Sequence, residues 1–216
     1  MKKKTAIMIA VLIAGALVGS CGMKYMGVFA KEDGDFRING STLTAYLGND
    51  TFVSIPDYVT TIGKGAFAKN TTLQSVELPQ NLEAIEYNAF SGCTSLENAP
   101  EIPDNVEDMT GTFYRCTSLK SAPIIPDSVV YMTSAFKDCT SLVNAPVIPK
   151  NVYSMASTFN GCISLTGNIE INTNSFYDHY NYQHCFKYTI KPIVITGTTT
   201  FKSGLAATAN NGNVTY

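Results

Sequence analysis

Along most of the chain, apolar and polar positions do not settle into one continuous helix or strand pattern; they form a short pattern that starts again and again. In "LQSVELPQNLEAIEYNAFSGCTSL", Leu73 to Leu96, apolar residues stand at Leu73, Val76 and Leu78, then at Leu82, Ile85, Ala89 and Phe90. The first three predict a short strand with one buried face, ended by Pro79, which brings no N–H to a ladder. The others continue the apolar set around the far side of a coil. One such coil cannot bury its apolar side alone, so the pattern predicts stacked coils whose core grows along an axis.

The period is readable from several residue types. Cysteine recurs at Cys93, Cys116, Cys139, Cys162 and Cys185, always 23 residues apart. Phenylalanine does the same at Phe67, Phe90, Phe113, Phe136 and Phe159, with Tyr182 in the next place. Leucine recurs at Leu73, Leu96, Leu119, Leu142 and Leu165, followed by Tyr188, and Asn70 stands where the first cysteine would fall. Six units over residues 55–195 are therefore expected to be in register throughout, making a stack about 29 Å long at a strand spacing of about 4.8 Å. The wording shifts at the third coil: "LQSVELP" becomes "LENAPEIP", one residue longer, and the step from Met109 to Phe113 is one shorter than that from Ile62 to Phe67. Since a one-residue slip would turn a strand inside out, the compensation keeps the period. Val76, Ile102, Ile125 and Ile148 are expected on neighbouring strands facing one core.

Both flanks read as caps. In 31–54, apolar and polar residues alternate and Asn39-Gly40 signals a hairpin, which predicts an N-terminal β cap. In 196–216, a short helix near Phe201 to Thr208 and a turn before Val214 predict a C-terminal cap. Such covers protect sheet edges that would otherwise pair with other chains.

Residues 1–30 lie outside the repeat. A basic start is followed by nineteen uncharged residues from Thr5 to Met23, which reads as a signal peptide or membrane anchor. Three fates are open: cleavage after Val28-Phe29-Ala30, lipidation of Cys21 within "LVGSCG", or retention as a span just long enough for a bilayer. All three place the repeats outside the cytoplasm, secreted or anchored at the cell surface, touching membrane only through this segment. Four of the 15 Lys+Arg precede Lys31, leaving 11 against 17 Asp+Glu from Lys31 onward. That acidic balance argues against nucleic-acid binding, which needs a basic patch.

Five repeat cysteines in an exported chain invite a disulfide reading, and neighbours about 4.8 Å apart fall within bridging range. The odd number and the asparagine at position 70 favour instead a buried structural ladder of Asn70, Cys93, Cys116, Cys139, Cys162 and Cys185, with one or two adjacent bridges as the alternative. Little else suggests chemistry. The adjacent His184 and Cys185 could be a nucleophile pair or half a metal site, but a turn residue beside the last rung explains them more simply. Neither a phosphate-binding glycine loop nor a C-x-x-C pair occurs. The chain is read as no enzyme, with no cofactor.

Two surfaces are candidates for binding. The outward strand position runs Glu77, Glu101, Ile124, Val147, Glu170 and Ile193 along the stack. The sixth coil breaks pattern in "SFYDHYNYQHCFKY", where Ser175 stands for Val152, Asp178 for Met155, and Tyr177 and Tyr180 add amphipathic aromatics suited to an interface or to a cap.

The segment "IPDYVTTIGKGAFAKNTTLQSVELP" resembles the BspA-like, or Treponema-type, leucine-rich repeat of bacterial surface proteins, and "MTSAFKDCTSLVNAPVIPKNV" is similar to a sister form. The resemblance extends from about Phe36 to the C-terminus. It implies a β-rich leucine-rich repeat solenoid with short helical or irregular returns, and a protein-binding or adhesion module whose partner is a protein or cell-surface glycan. A structural envelope component without a host ligand is the alternative.

Overall fold

The computed structural model describes residues 30–173, 175–176, 178–209 and 213–216. The leader segment up to residue 29, with Cys21, and also Tyr177, lie outside the described residues. The chain forms a β-solenoid of about seven turns. Two antiparallel strands, β1 (Ala30–Asp33) and β2 (Phe36–Asn39), lead into β3 (Thr42–Tyr46) through the Asn39-Gly40 turn. The coils then follow, each made of a strand segment, a proline turn and a return that ends at a phenylalanine.

Coil 1 runs from β4 (Phe52–Ser54) through β5 (Thr61–Ile62) to Phe67, and coil 2 from β6 (Ser75–Glu77) through β7 (Ala84–Ile85) to Phe90. β6 pairs in parallel with β4, and β7 with β5, each offset by one coil; β3 closes the second sheet by pairing in parallel with β5. From coil 3 to coil 5 the expected neighbouring strands shrink to isolated bridges, Asn98 to Ser121 to Asn144 on one side and Asp108 to Tyr131 to Ser154 on the other. Two prolines in each "NAPEIP"-type segment remove the N–H groups that a continuous ladder needs. Coil 6 has Ile169 and Asn172 where coil 5 has Pro146 and Pro149, and there a full strand returns as β8 (Gly167–Glu170). It pairs with β9 (Ile193–Thr196), which pairs with β10 (Val214–Thr215) after the short helix α1 (Lys202–Ala206).

The core is a set of columns. Leu73, Leu96, Leu119, Leu142 and Leu165 are fully buried, as are Met109, Met132 and Met155; Val76, Ile102, Ile125 and Ile148 all face inward. The phenylalanine rings stack at centroid separations of 5.0 to 5.9 Å from Phe67 to Phe159. The column reaches into the N-terminal hairpin, where Tyr46 lies 5.2 Å from Phe67 and Phe36 5.2 Å from Tyr46. Backbone bonds run along it: the N–H of Phe67, Phe90, Phe113 and Phe136 each donates to the carbonyl of the residue preceding the next ring, at 2.8 to 3.1 Å.

The register changes in coil 6. The ring stacked on Phe159 is Phe186, at 5.7 Å and 5° between planes, and not Tyr182. Left-handed residues flank each phenylalanine two positions away on either side, as at Ser134 and Asp138 around Phe136 (φ 57° and 60°). Around Phe186 the same pair is His184 and Tyr188 (φ 57° and 65°). Four extra residues have entered between the rings, and Tyr182 takes the core place of Met155, its preceding residue Asn181 accepting from the Met155 N–H as Ser154 accepts from Met132. Asp178, expected in that place, instead caps the inserted 3-10 turn His179–Asn181: its carboxylate accepts from the Tyr180 N–H at 2.8 Å while the Asn181 amide oxygen accepts from its own N–H at 3.0 Å.

Candidate functional site

Cys93, Cys116, Cys139 and Cys162 are buried and reduced, each Sγ–H donating to the carbonyl of the phenylalanine one coil back, at 3.0 to 3.2 Å. Asn70 holds the same slot in coil 1; its Nδ2 donates to the Gly48 carbonyl at 3.0 Å and its Oδ1 accepts from the Thr72 and Leu73 N–H groups. Cys185 does not continue the column. It directly precedes Phe186, the place held by Ala135 and Thr158, and its carbonyl accepts from the Phe159 N–H. Thr189 follows Phe186 by three residues, where Asn70 follows Phe67 and a cysteine follows each ring from Phe90 to Phe159, so the 23-residue step to Cys185 coincides with the period without belonging to it. Burial pushes the Cys93 thiol up to about 12 and raises the others too. A thiol that stays protonated is a poor nucleophile and a poor metal ligand. No group of three His, Cys, Asp or Glu side chains able to hold a metal ion occurs among the described residues. His184 is an exposed turn residue.

The strand face carries the remaining candidates. Glu77, Glu101, Ile124, Val147 and Glu170 all point outward, in a row crossing five coils. Ile193, expected to extend the row, is 1% exposed. The coil 6 insertion is responsible: β9 pairs Thr196, not Ile193, with Glu170. Ile124 is 88% exposed and Val147 51%, high values for branched aliphatic side chains on neighbouring coils. Together with Ile125, Pro149 and Asn172 they line an apolar groove of about 390 Å³, edged by Asp127 and Lys150, which pair at 3.5 Å. These edge residues escaped the sequence reading, although Asp127 and Lys150 each follow the proline that ends a strand segment and so form a column of their own. Tyr180 is exposed on the inserted turn, its ring 4.0 Å from that of His179.

A second groove, about 490 Å³, opens between coils 2 and 3, where the strand segment lengthens. Glu77, Glu101 and Asp104 line it with Gln80, Asn98 and Asn105, and no cationic residue does. The sheet of β4 and β6 stops here. Glu77 gives its carbonyl to Ile55 on the β4 side, so Val76, which alternates with it, turns its own N–H and carbonyl toward coil 3. Among the backbone bonds of the described residues, the Glu97 N–H crosses this junction to the strand region, donating to the Gln74 carbonyl.

A stacked scaffold with an exposed row of side chains and reactive groups shut away in its core defines a class: a leucine-rich repeat solenoid, a fold that typically serves as a binding scaffold. Six copies of the BspA type leucine rich repeat region match residues 44–166. The chain belongs to this family. It is similar to a leucine rich cell surface protein of Faecalibacterium prausnitzii, at 30% identity over 60% of this chain and 35% of that one, with a TM-score of 0.54. It is also similar to the T. pallidum leucine rich repeat protein, at 25% identity over 72% of this chain and 77% of that one, with a TM-score of 0.55. The pneumococcal vaccine antigen PcpA shares the fold, at 22% identity and a TM-score of 0.63, covering 83% of this chain and 45% of that one. The chain thus spans about a third of the length of the first of these and under half of the third. No curated protein matches it.

Proposed function

We propose that the chain is an exported, cell-surface adhesion module that binds a protein ligand through its strand face. One observation carries this reading: Ile124 and Val147, side by side and largely exposed, floor a groove on the row of outward residues. Solvated aliphatic side chains that adjoin across coils leave apolar surface that a partner can bury, at roughly 25 cal/mol per Å². The core columns hold the scaffold rigid, so a ligand meets a preformed surface and its ordering cost is small. Export is supported by the basic and apolar leader and by the cell-surface nature of the Faecalibacterium relative. The thiols, kept protonated in the core, fit a scaffold better than a catalyst.

The test is a binding screen of the full chain against host matrix proteins and cell-wall glycans, repeated with Ile124→Lys/Val147→Lys. A protein ligand should be retained by the wild type and lost by the double variant, whose circular dichroism stays unchanged. Retention by both, or binding to glycans alone, would overturn the reading.

A further inference from the structure

The two grooves on the strand face differ in chemistry and sit a fixed distance apart. The one between coils 4 and 5 is floored by Ile124 and Val147. The one between coils 2 and 3 is rimmed by Glu77, Glu101 and Asp104, with no cationic residue in its lining. Of these carboxylates, Glu77 accepts a hydrogen bond from the Ser54 hydroxyl at 3.0 Å, which leaves its other oxygen open. At the bottom of the same groove the backbone of Val76 faces coil 3, and no backbone bond from that coil reaches it among the described residues. A set of carboxylates with no Lys or Arg among the described residues of the groove lining, beside a carbonyl that faces coil 3, matches an ammonium or guanidinium group, which brings several donors and a positive charge. The two groove centres are separated by two coil steps, about 10 Å at a strand spacing of about 4.8 Å.

Resting on the strand-face reading, we infer that this face reads a partner protein segment at two points: a lysine or arginine in the acidic groove and a branched aliphatic side chain on Ile124 and Val147. An extended segment rises about 3.3 Å per residue and alternates its side chains between two faces, so two side chains that enter the same strand face stand two or four residues apart, and the long basic side chain makes up the difference from about 10 Å. The apolar contact holds the segment, and the charged contact fixes its direction and register along the stack. A segment with the opposite charge is rejected, because it would lay carboxylate against carboxylate.

A displayed library of random linear peptides, selected on the full chain and counter-screened on variants, tests this. Clones lost with Ile124→Lys should carry Lys or Arg two or four residues from Val, Ile or Leu. Glu77→Gln/Glu101→Gln should weaken those clones by about tenfold at low salt, and by less as salt screens the contact. Clones lost with Ile124→Lys that lack the basic residue, or that ignore the Glu→Gln changes, would overturn the two-point inference and leave the strand-face reading standing. Self-association lost with Ile124→Lys and not with Glu→Gln would overturn it in the same way. Clones indifferent to Ile124→Lys, or no clones at all, would overturn both.

Discussion

Thr112 and Thr158 occupy the same core place, immediately before a stacked phenylalanine, yet the same substitution should act on them in opposite directions. The Thr158 hydroxyl donates within 2.7 Å of both the Met132 and the Met155 carbonyls. The Thr112 hydroxyl is equally buried and has no partner. The difference coincides with the change of wording between coils 2 and 3: the coil behind Thr158 presents Met132, four residues before its ring, whereas the coil behind Thr112 presents Ile85, five residues before Phe90. Valine keeps the branched shape and removes only the hydroxyl. At Thr112 it relieves a buried unsatisfied group worth about 1–3 kcal/mol. At Thr158 it removes a bond worth about 1 kcal/mol, and the two carbonyls keep the Ala135 and Thr158 N–H groups as partners. The variants should therefore differ by about 2–4 kcal/mol, or about 4–16 °C in Tm for a chain of this size, with Thr112→Val above wild type and Thr158→Val below. Urea unfolding of both, monitored by circular dichroism, measures the gap. Equal shifts of the same sign would refute the argument.

The shifted register predicts that Phe186→Ala costs about 3–5 kcal/mol, as loss of a buried phenylalanine does, and opens the last coil to limited proteolysis, while Tyr182→Ala costs under half as much. The reverse order would restore an unbroken 23-residue step. The thiols predict alkaline instability: the folded chain holds the Cys93 proton to about pH 12, whereas an unfolded thiol releases it near 8.5. Stability is thus full below about pH 8.5 and falls above it by about 1.4 kcal/mol per pH unit for each such thiol. Cys93→Ala should make the fall in urea midpoint shallower by one thiol's share; an unchanged slope would count against burial of the neutral form.

The repeat was legible because each column is filled by one residue type across many coils, so Phe67 to Phe159 and Leu73 to Leu165 declare both period and core. The last coil was misread for the same reason. Cys185 lies 23 residues after Cys162 and looked like a rung, though "CF" at Cys185-Phe186 aligns with "TF" at Thr158-Phe159 once ring neighbours are considered. Ile193 followed that error onto the wrong face. Strand content was overread between Asn98 and Ile148, where proline, while leaving the apolar pattern intact, takes away the donors that make a pattern into a ladder. Tyr46 as a member of the ring column did not show in the spacing, because it stands 21 residues before Phe67 and not 23. The outward row from Glu77 to Glu170 follows from alternation alone, but its grooves depend on where neighbouring coils part.

The constancy of the return makes length a free variable. Coils 3 to 5 present the same outline of rings, thiols and N–H groups to either neighbour, so duplicating or deleting one of them as a 23-residue block would leave each remaining joint unchanged. The joint between coils 2 and 3 is different in kind, since two wordings meet there and leave Thr112 without a partner. Growth by recombination is thus cheap within a wording and costly across the seam, which fixes the acidic groove at a set distance from the N-terminal hairpin whatever length the rest of the stack attains.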